Sequence, residues 1–187
     1  MNNFVKILSE EAQSTNLGTL PEEDATDLST VFSRKLLGEH CSLDWYKKSG
    51  ALRHARSFFI RNLNFDSTVN SCQLSNLPEF QTILLSLFNK DYQWLDSSLK
   101  RAYYTEIPAN SVVYPHIDNN EYFRSIVRFQ IYLSNSEPLC KVIEEDTLVQ
   151  YSFGQVRTFN LTRTHSVTND SNHPLKLVVF DIQKLGI

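Results

Sequence analysis

The chain has 187 residues, a formal net charge of −3 and 41% hydrophobic residues, which indicate one globular domain with a substantial core. This mildly acidic chain gives no reason to expect nucleic-acid binding, because contact with phosphates requires a clustered basic surface. No apolar run approaches the ~18 residues of a membrane span. The composition therefore indicates neither a nucleic-acid nor a membrane partner, and the sequence does not indicate an oligomeric state.

Cysteine usage and the first residues bear on the cellular compartment. Three cysteines, Cys41, Cys72 and Cys140, are widely spaced and odd in number, which disfavours a disulfide framework and suits a reducing compartment. The opening segment MNNFVKILSEEAQ has no basic region followed by an apolar one, so no secretory signal is visible. These features predict a cytoplasmic protein.

Two helices are predicted within residues 1–100, a helical flank that also contains some strand. The first covers residues 21–38, opening with a proline and three acids and ending at a glycine. The second covers residues 75–92, with Asn76 as its expected cap. In both segments apolar residues recur with the helical period, so each helix is expected to pack one face against a sheet.

From residue 101 the chain changes to short strands separated by polar turns. The strand candidates are 102–107, 111–117, 124–134, 140–144, 147–151, 155–160, 164–168 and 175–183. Within the helical flank, the segment HARSFFIRNLNF at 54–65 predicts one more strand with a turn. We therefore predict a mainly β domain with flanking helices, whose residues 101–187 form a double-sheet jelly roll.

The predicted strand SIVRFQIYL, residues 125–133, has two unlike faces. One face is entirely apolar and is expected beneath the helices, while the other places Arg128 and Gln130 between Ile126 and Tyr132. That second face either meets solvent or lines a barrel interior that holds a polar ligand. The pattern alone favours neither alternative.

The stretch VVYPHIDNN, residues 112–120, places His116 and Asp118 two residues apart. In an extended strand these side chains share a face, either as two metal ligands or as a hydrogen-bonded pair. A further histidine, His165, follows 49 residues after the first, and as a lone residue it also reads as a core histidine. Two histidines and one carboxylate form the triad that suits non-haem Fe(II) and leaves positions open for O2 and a co-substrate.

Residues 103–181 resemble the aspartyl/asparaginyl β-hydroxylase family of Fe(II)/2-oxoglutarate-dependent oxygenases, which includes small-molecule proline hydroxylases. The resemblance rests on the ordered segments VVYPHID, SIVRFQIYLSN, FGQVRTFNLTRTHSVTN and LKLVVFDI. It implies a double-stranded β-helix, a cupin-like form of the jelly roll. It also implies a small-molecule or peptide substrate, with hydroxylation of an amino acid or a peptide side chain. The resemblance makes His116, Asp118 and His165 the catalytic iron ligands, and it makes 2-oxoglutarate and O2 the co-substrates.

The resemblance further implies that Arg128 contacts 2-oxoglutarate, with Gln130 as the polar residue beside it, since a guanidinium fork suits a carboxylate. The family usually has a second arginine ten residues after the distal histidine, where this chain has Leu175. Lys176 is expected to replace that arginine only if the register changes near residues 173–174. A shift of one residue moves a side chain to the other face of a strand.

Several alternatives stay open from the sequence. Arg128 acts alone on the co-substrate if Lys176 does not reach it, or Arg157 or Arg163 substitutes. Asn169 either fixes the loop after the distal histidine or is an ordinary turn residue. The whole chain also fits a non-oxidative binding module on the same jelly roll, which the leucine at 175 favours, or a cupin-type metal protein that does not use 2-oxoglutarate.

Overall fold

Strands dominate the structure, a computed structural model that describes residues 14–38, 56–62, 77–135 and 139–184. Within these ranges the strands are β1 (Asn16–Thr19), β2 (Arg56–Asn62), β3 (Leu99–Ile107), β4 (Ser111–His116), β5 (Ile126–Tyr132), β6 (Cys140–Glu144), β7 (Thr147–Val149), β8 (Gln155–Phe159), β9 (His165–Asn169) and β10 (Leu175–Gln183). The helices are α1 (Glu22–Gly38), α2 (Pro78–Phe88), α3 (Tyr92–Ser98) and α4 (Glu121–Arg124). No helix in the described ranges is long and apolar enough to span a membrane.

The strand predictions are confirmed for the second half of the chain. All eight candidates after residue 101 are present as β3 to β10, because a period-two alternation or a short apolar run marks each of them. The predicted strand at 54–65 is present as β2, although residues 54–55 and 63–65 lie outside the described ranges. Helix α1 matches its predicted span to within one residue.

The second predicted helix, 75–92, is present as α2 but ends earlier than predicted. Helix α2 ends at Phe88 because Asn89 adopts a left-handed backbone conformation with φ 50°, which stops helix propagation. Helix α3 starts after Asp91, whose carboxylate accepts a hydrogen bond from the Trp94 N–H at 2.8 Å. The helix itself is confirmed, and the prediction that it continues to residue 92 is wrong.

The predicted cap of α2 is also wrong. Asn76 lies outside the described residues, and the cap position is Leu77, which makes no side-chain cap hydrogen bond. Pro78 begins the helix instead, with its fixed φ suited to the first helical position. Three elements were without a sequence prediction: β1, a mostly exposed edge strand, helix α3, and the four-residue helix α4.

The ten strands form two antiparallel sheets. The larger has the order β1-β8-β5-β10-β3-β2 and the smaller the order β4-β9-β6-β7. Side chains of both sheets meet in one buried cluster, so the sheets stack face to face. This architecture is the predicted jelly roll, or double-stranded β-helix.

The larger sheet buries both of its faces. Its outer face packs on the helices: Phe129 and Phe180 stack with ring centroids 5.1 Å apart, and Phe80 and Phe88 contact them edge-on. The inner face meets the smaller sheet. On β5 the apolar side chains face the helices as predicted, while Arg128 and its polar neighbour face the interior rather than solvent.

The Asn169 side chain on β9 links the smaller sheet to the end of β3 in the larger sheet. Its amide Nδ2 donates to the backbone carbonyls of Ile107, Pro108 and His173 at 2.9–3.0 Å, and its Oδ1 accepts from the Ser171 hydroxyl at 2.6 Å. The side chain is fully buried, so these partners replace water completely. The prediction that Asn169 fixes the loop after His165 is confirmed.

We expect Asn169→Ala to lower the free energy of unfolding by about 2–3 kcal/mol, because buried carbonyls lose their donor. Urea denaturation measures this change. Asn135→Ala is the matched control: Asn135 is exposed and accepts one hydrogen bond from the Phe153 N–H, so its loss should cost less than about 1 kcal/mol. Equal effects of the two variants would contradict the role of Asn169.

Candidate metal centre

The structure brings His116, Asp118 and His165 together at one end of the two sheets. His116 is the last residue of β4, His165 is the first of β9, and the two are paired across the sheet. Their ring centroids lie 4.2 Å apart, and His165 Nε2 lies 4.0 Å from Asp118 Oδ2. One ligand atom from each residue lies within 4.8 Å of the others, close enough to share a cation.

Local backbone features position this triad. The pairing of β4 with β9 shifts register between Val113 and His116, and such irregularities re-aim side chains at functional sites. Pro115 lies inside the shift and has no N–H to contribute to a regular ladder. After the strand, the Asp118 N–H donates to the Leu161 carbonyl at 3.0 Å, which fixes the carboxylate-bearing loop.

Both imidazoles are held in the tautomer that binds metals. His116 Nδ1–H donates to the Tyr114 carbonyl at 2.7 Å, and His165 Nδ1–H donates to the Arg163 carbonyl at 2.9 Å. A carbonyl only accepts hydrogen bonds, so each Nδ1 carries the proton. With its proton on Nδ1, a neutral ring presents the lone pair of Nε2 to a metal, and the carbonyl fixes the ring orientation.

Burial shifts the pKa of two members of the triad, His165 and Asp118. It lowers the pKa of His165 to about 4, opposed by the hydrogen bond to the Arg163 carbonyl and reinforced by charge on His116. Burial also raises the pKa of Asp118, against the opposing effects of His116 and Arg101. A neutral imidazole at ordinary pH is the form that ligates a metal.

A buried carboxylate, Asp181, lies next to the triad and holds two arginines. Arg128 Nε and Nη2 donate to its two oxygens at 2.8 and 2.9 Å, and Arg101 Nε donates to Oδ2 at 2.9 Å. The Tyr122 hydroxyl donates to the same oxygen at 2.8 Å. Burial raises the pKa of Asp181, and Arg101 and Tyr122 oppose that shift.

Arg128 connects this cluster to the triad. Its Nη1 lies 3.3 Å from Asp118 Oδ2, while its bidentate contact is already made with Asp181. Arg128 thus borders the interior cavity as the sequence predicts, but its fork is directed at a protein carboxylate. Its geometry is that of a residue that orients Asp118.

Sequence reasoning missed Arg101, Tyr122 and Asp181 as members of the site. A usable signal existed for Asp181: it ends the inward-facing row of β10, whose other members are apolar. An acid in such a row needs a buried partner. Which arginine supplies it depends on strand pairing, and both Arg101 and Arg128 lie directly opposite Asp181.

A cavity of about 560 Å³ runs between the sheets from the triad toward Leu175. Gln130 borders it as predicted, and its Oε1 accepts a hydrogen bond from the Tyr132 hydroxyl at 2.7 Å. The Tyr132 ring stacks on Tyr151 with centroids 4.3 Å apart. The polar face of β5 is therefore the wall of an internal chamber.

Lys176 lies outside this chamber. The pairing of β10 with β3 keeps its register from Leu175 through Asp181, so Lys176 points to the helix side of the sheet. Its Nζ donates to Ser33 Oγ at 3.3 Å and lies 4.0 Å from Glu106 Oε1. The register change on which its predicted co-substrate contact depends does not occur, and that prediction needs correction.

The two substitute arginines are also directed elsewhere. Arg163 Nη1 donates to Glu145 Oε2 at 2.6 Å in a pair whose side chains are half exposed. Arg157 Nη1 donates to the Gln150 carbonyl at 3.3 Å. Neither borders the cavity that contains the triad. Leu175 does border it, at the end away from the triad.

Comparison with known proteins gives a likeness of fold. No protein-family model matches the chain, and no curated protein matches it by sequence. Among solved structures, a Pseudomonas putida prolyl-4-hydroxylase matches with a TM-score of 0.60, 14% identity and full coverage of both chains. A Trichoplax adhaerens prolyl hydroxylase, in complex with a hypoxia-inducible-factor peptide fragment, gives 0.58 at 12% identity, covering 96% of this chain and 87% of that one.

A third match is the collagen prolyl hydroxylase of Paramecium bursaria Chlorella virus-1 in its 2-oxoglutarate complex. Its TM-score is 0.55 at 10% identity, covering 94% of this chain and 97% of that chain. The chain shares the fold of these hydroxylases. At such low identity the likeness extends to the fold alone, and the narrower resemblance to aspartyl/asparaginyl β-hydroxylases stays a prediction.

The buried position of His165 predicts a pH dependence of the metal-free protein. Its pKa of about 4 is below the ordinary value of 6.5, so the unfolded chain binds this proton more readily. The contribution to stability is present above pH 6.5 and is lost as the pH falls toward 4. NMR titration of the imidazole should give a midpoint near pH 4, and urea denaturation in His165→Gln should show a weaker pH slope. A midpoint at or above 6.5 would contradict this burial effect.

Removal of the shared counter-charge should destabilise the protein strongly. We expect Asp181→Asn to cost about 3–5 kcal/mol of unfolding free energy, because buried guanidinium groups lose their carboxylate. The control is Glu145→Gln, which breaks an ion pair with half-exposed side chains and should cost less than about 1 kcal/mol. Urea denaturation of both variants decides; similar losses would argue against Asp181 as the central counter-charge.

Proposed function

We propose that this chain is an Fe(II)- and 2-oxo-acid-dependent oxygenase that hydroxylates an amino acid or a peptide side chain. The observation that carries the proposal is the triad: two imidazoles, each with Nδ1 bound to a backbone carbonyl so that Nε2 is left for a metal, beside one carboxylate at the edge of an internal cavity. The fold likeness to prolyl hydroxylases supports it. The resemblance and one neighbour's 2-oxoglutarate complex make 2-oxoglutarate the first co-substrate to test.

The donor set fits iron. Two nitrogens and one oxygen are the ligands of the non-haem Fe(II) triad, and no cysteine is among the grouped residues, which disfavours a structural zinc site. Bound iron supplies the O2 chemistry that amino-acid side chains lack. In the overall reaction, the substrate C–H, O2 and a 2-oxo acid give the alcohol, CO2 and the carboxylic acid shortened by one carbon.

Individual residues have distinct parts in this proposal. His116, His165 and Asp118 hold the cation, and the carbonyls of Tyr114 and Arg163 keep the imidazoles aimed. Arg128 orients Asp118. Beyond the triad, Asn120, Tyr122 and Phe123 also line the cavity and are available to contact a substrate. One neighbour is bound to a peptide, which makes a peptide side chain a reasonable first substrate class.

The proposal predicts specific metal and co-substrate binding. Anaerobic Fe(II) with a 2-oxo acid should give a metal-to-ligand charge-transfer band, and His116→Ala or His165→Ala should weaken metal binding at least about 100-fold. His173→Ala is the matched control, because the His173 side chain is exposed away from the triad and should leave binding unchanged.

Oxygen consumption coupled to CO2 release then tests the reaction itself. The wild type should consume O2 with a 2-oxo acid present, and the triad variants should not. Metal binding without oxygen uptake would instead support the alternative of a non-oxidative jelly-roll metal protein. The cytoplasmic location expected from the cysteines stays a prediction.

A further inference from the structure

The cavity changes character with distance from the triad. β10 pairs in register with β3 on one side and β5 on the other, so the inward side chains form layers across the larger sheet. The layer next to the triad is Arg101, Asp181 and Arg128. The layer at the opposite end is Ile107 and Leu175, both apolar and nearly fully buried. Successive layers are about 7 Å apart, because two residues of a strand separate them.

The two layers in between are uncharged. They contain, in order, Tyr103, Val179 and Gln130, then Thr105, Leu177 and Tyr132. Their polar atoms are hydroxyls and one amide, and the Tyr132 hydroxyl already donates to the Gln130 side chain. On these three strands, positive charge is therefore confined to the first layer. Arg157 lies opposite Gln130 on the neighbouring strand β8, but it does not border the cavity, and its Nη1 donates to the Gln150 carbonyl.

The smaller sheet continues the apolar lining. Val167 lies two residues beyond His165 on the same face of β9, and it pairs with Val113 on one side and Val142 on the other. All three valines border the cavity. Behind the triad, the wall formed by these valines is apolar, and the wall formed by the larger sheet adds hydroxyls and one amide to its apolar side chains.

The chamber is closed at its far end and open at the triad. Ile107, Leu175 and Leu177 are 4%, 2% and 6% exposed, whereas the Asp118 side chain is 24% exposed. Behind the closed end, the Asn169 network joins the backbones of both sheets. A group that occupies the chamber must therefore extend inward from the metal position, as the tail of a metal chelator does.

We infer that the 2-oxo acid used at this site has an uncharged, apolar tail, in preference to the second carboxylate of 2-oxoglutarate. The inference rests on the proposed function and specifies its co-substrate class. The described cations that border the cavity are Arg101 and Arg128, and their charge is balanced by Asp181 and Asp118. A second carboxylate in the chamber would lose its water without gaining a cation.

The apolar side chains of the chamber favour a 2-oxo acid with an aliphatic tail. An aliphatic tail placed among Val142, Val167 and Leu177 exchanges water for apolar contact, which stabilises it in proportion to the area buried. Selection of an uncharged tail therefore requires no further residue. Leu175 is the position where a cation would reverse that selection, because its side chain borders the chamber at the closed end.

The test compares two nearly isosteric acids on the intact protein. These are 2-oxoglutarate and 5-methyl-2-oxohexanoate, in which an isopropyl group replaces the far carboxylate. Anaerobic titration of the Fe(II) protein, followed by the charge-transfer band, gives both affinities, and the ligand-induced rise in Tm of the Ni(II)-loaded protein gives a readout independent of iron. We expect the apolar acid to bind at least about tenfold tighter, equivalent to 1.4 kcal/mol.

Two variants sharpen the comparison. Leu175→Arg should shift the affinity ratio toward 2-oxoglutarate by at least about tenfold, since it adds a cation to the closed end. Lys176→Met is the control on the other face of β10 and should leave the ratio unchanged. The wild-type ratio alone decides the inference if Leu175→Arg does not fold.

The failures are distinguishable. Equal or tighter binding of 2-oxoglutarate by the wild type overturns this inference and leaves the proposed function intact. If the wild type prefers 2-oxoglutarate and Arg157→Gln abolishes that preference, Arg157 binds the far carboxylate, and this result also overturns the inference. Absence of a band and of a Tm shift with either acid overturns the proposed function together with the inference.

Discussion

The shared carboxylate of Asp181 is the interaction on which the site depends. It lies on β10, is fully buried, and accepts hydrogen bonds from Arg101 on β3, Arg128 on β5 and Tyr122 on α4. Guanidinium groups do not deprotonate in proteins, so burying two of them requires an anion. The aromatic rings around Arg101, with centroids 5.1 to 5.5 Å from its Cζ, add cation–π attraction. The cluster fixes the position from which the Arg128 side chain reaches Asp118.

Period-two alternation accounts for most of what the sequence could predict. It separates the two faces of β5, and the same rule separates Leu175, in the chamber, from Lys176, which is directed at Ser33 on α1. The H-x-D pair and the distant histidine were recognisable because residue types with metal-binding chemistry stood at or just beyond strand ends: His116 ends β4, Asp118 follows it by two residues, and His165 begins β9. Their convergence depends on the pairing of β4 with β9, which the sequence does not specify.

What the sequence could not predict is mostly which residues become neighbours across paired strands. Arg101 and Asp181 are 80 residues apart, and only the register of β3 on β10 places them opposite each other. The end of α2 at Asn89 depends on a single left-handed residue, to which apolar periodicity is insensitive. The short helix α4 has no apolar period and exists because the Asn120 side chain caps it, accepting from the Phe123 N–H at 3.1 Å.

Helix α4 gives this site a mechanical property. It lies in the loop that directly follows the H-x-D pair, and it carries Tyr122, whose hydroxyl is bound to Asp181. The loop that follows the triad and the charged layer of the larger sheet are therefore joined by one phenol. Any molecule that displaces the entrance loop must first break that bond, and in doing so it disturbs the anion that steadies Arg128 and, through it, the acid of the triad.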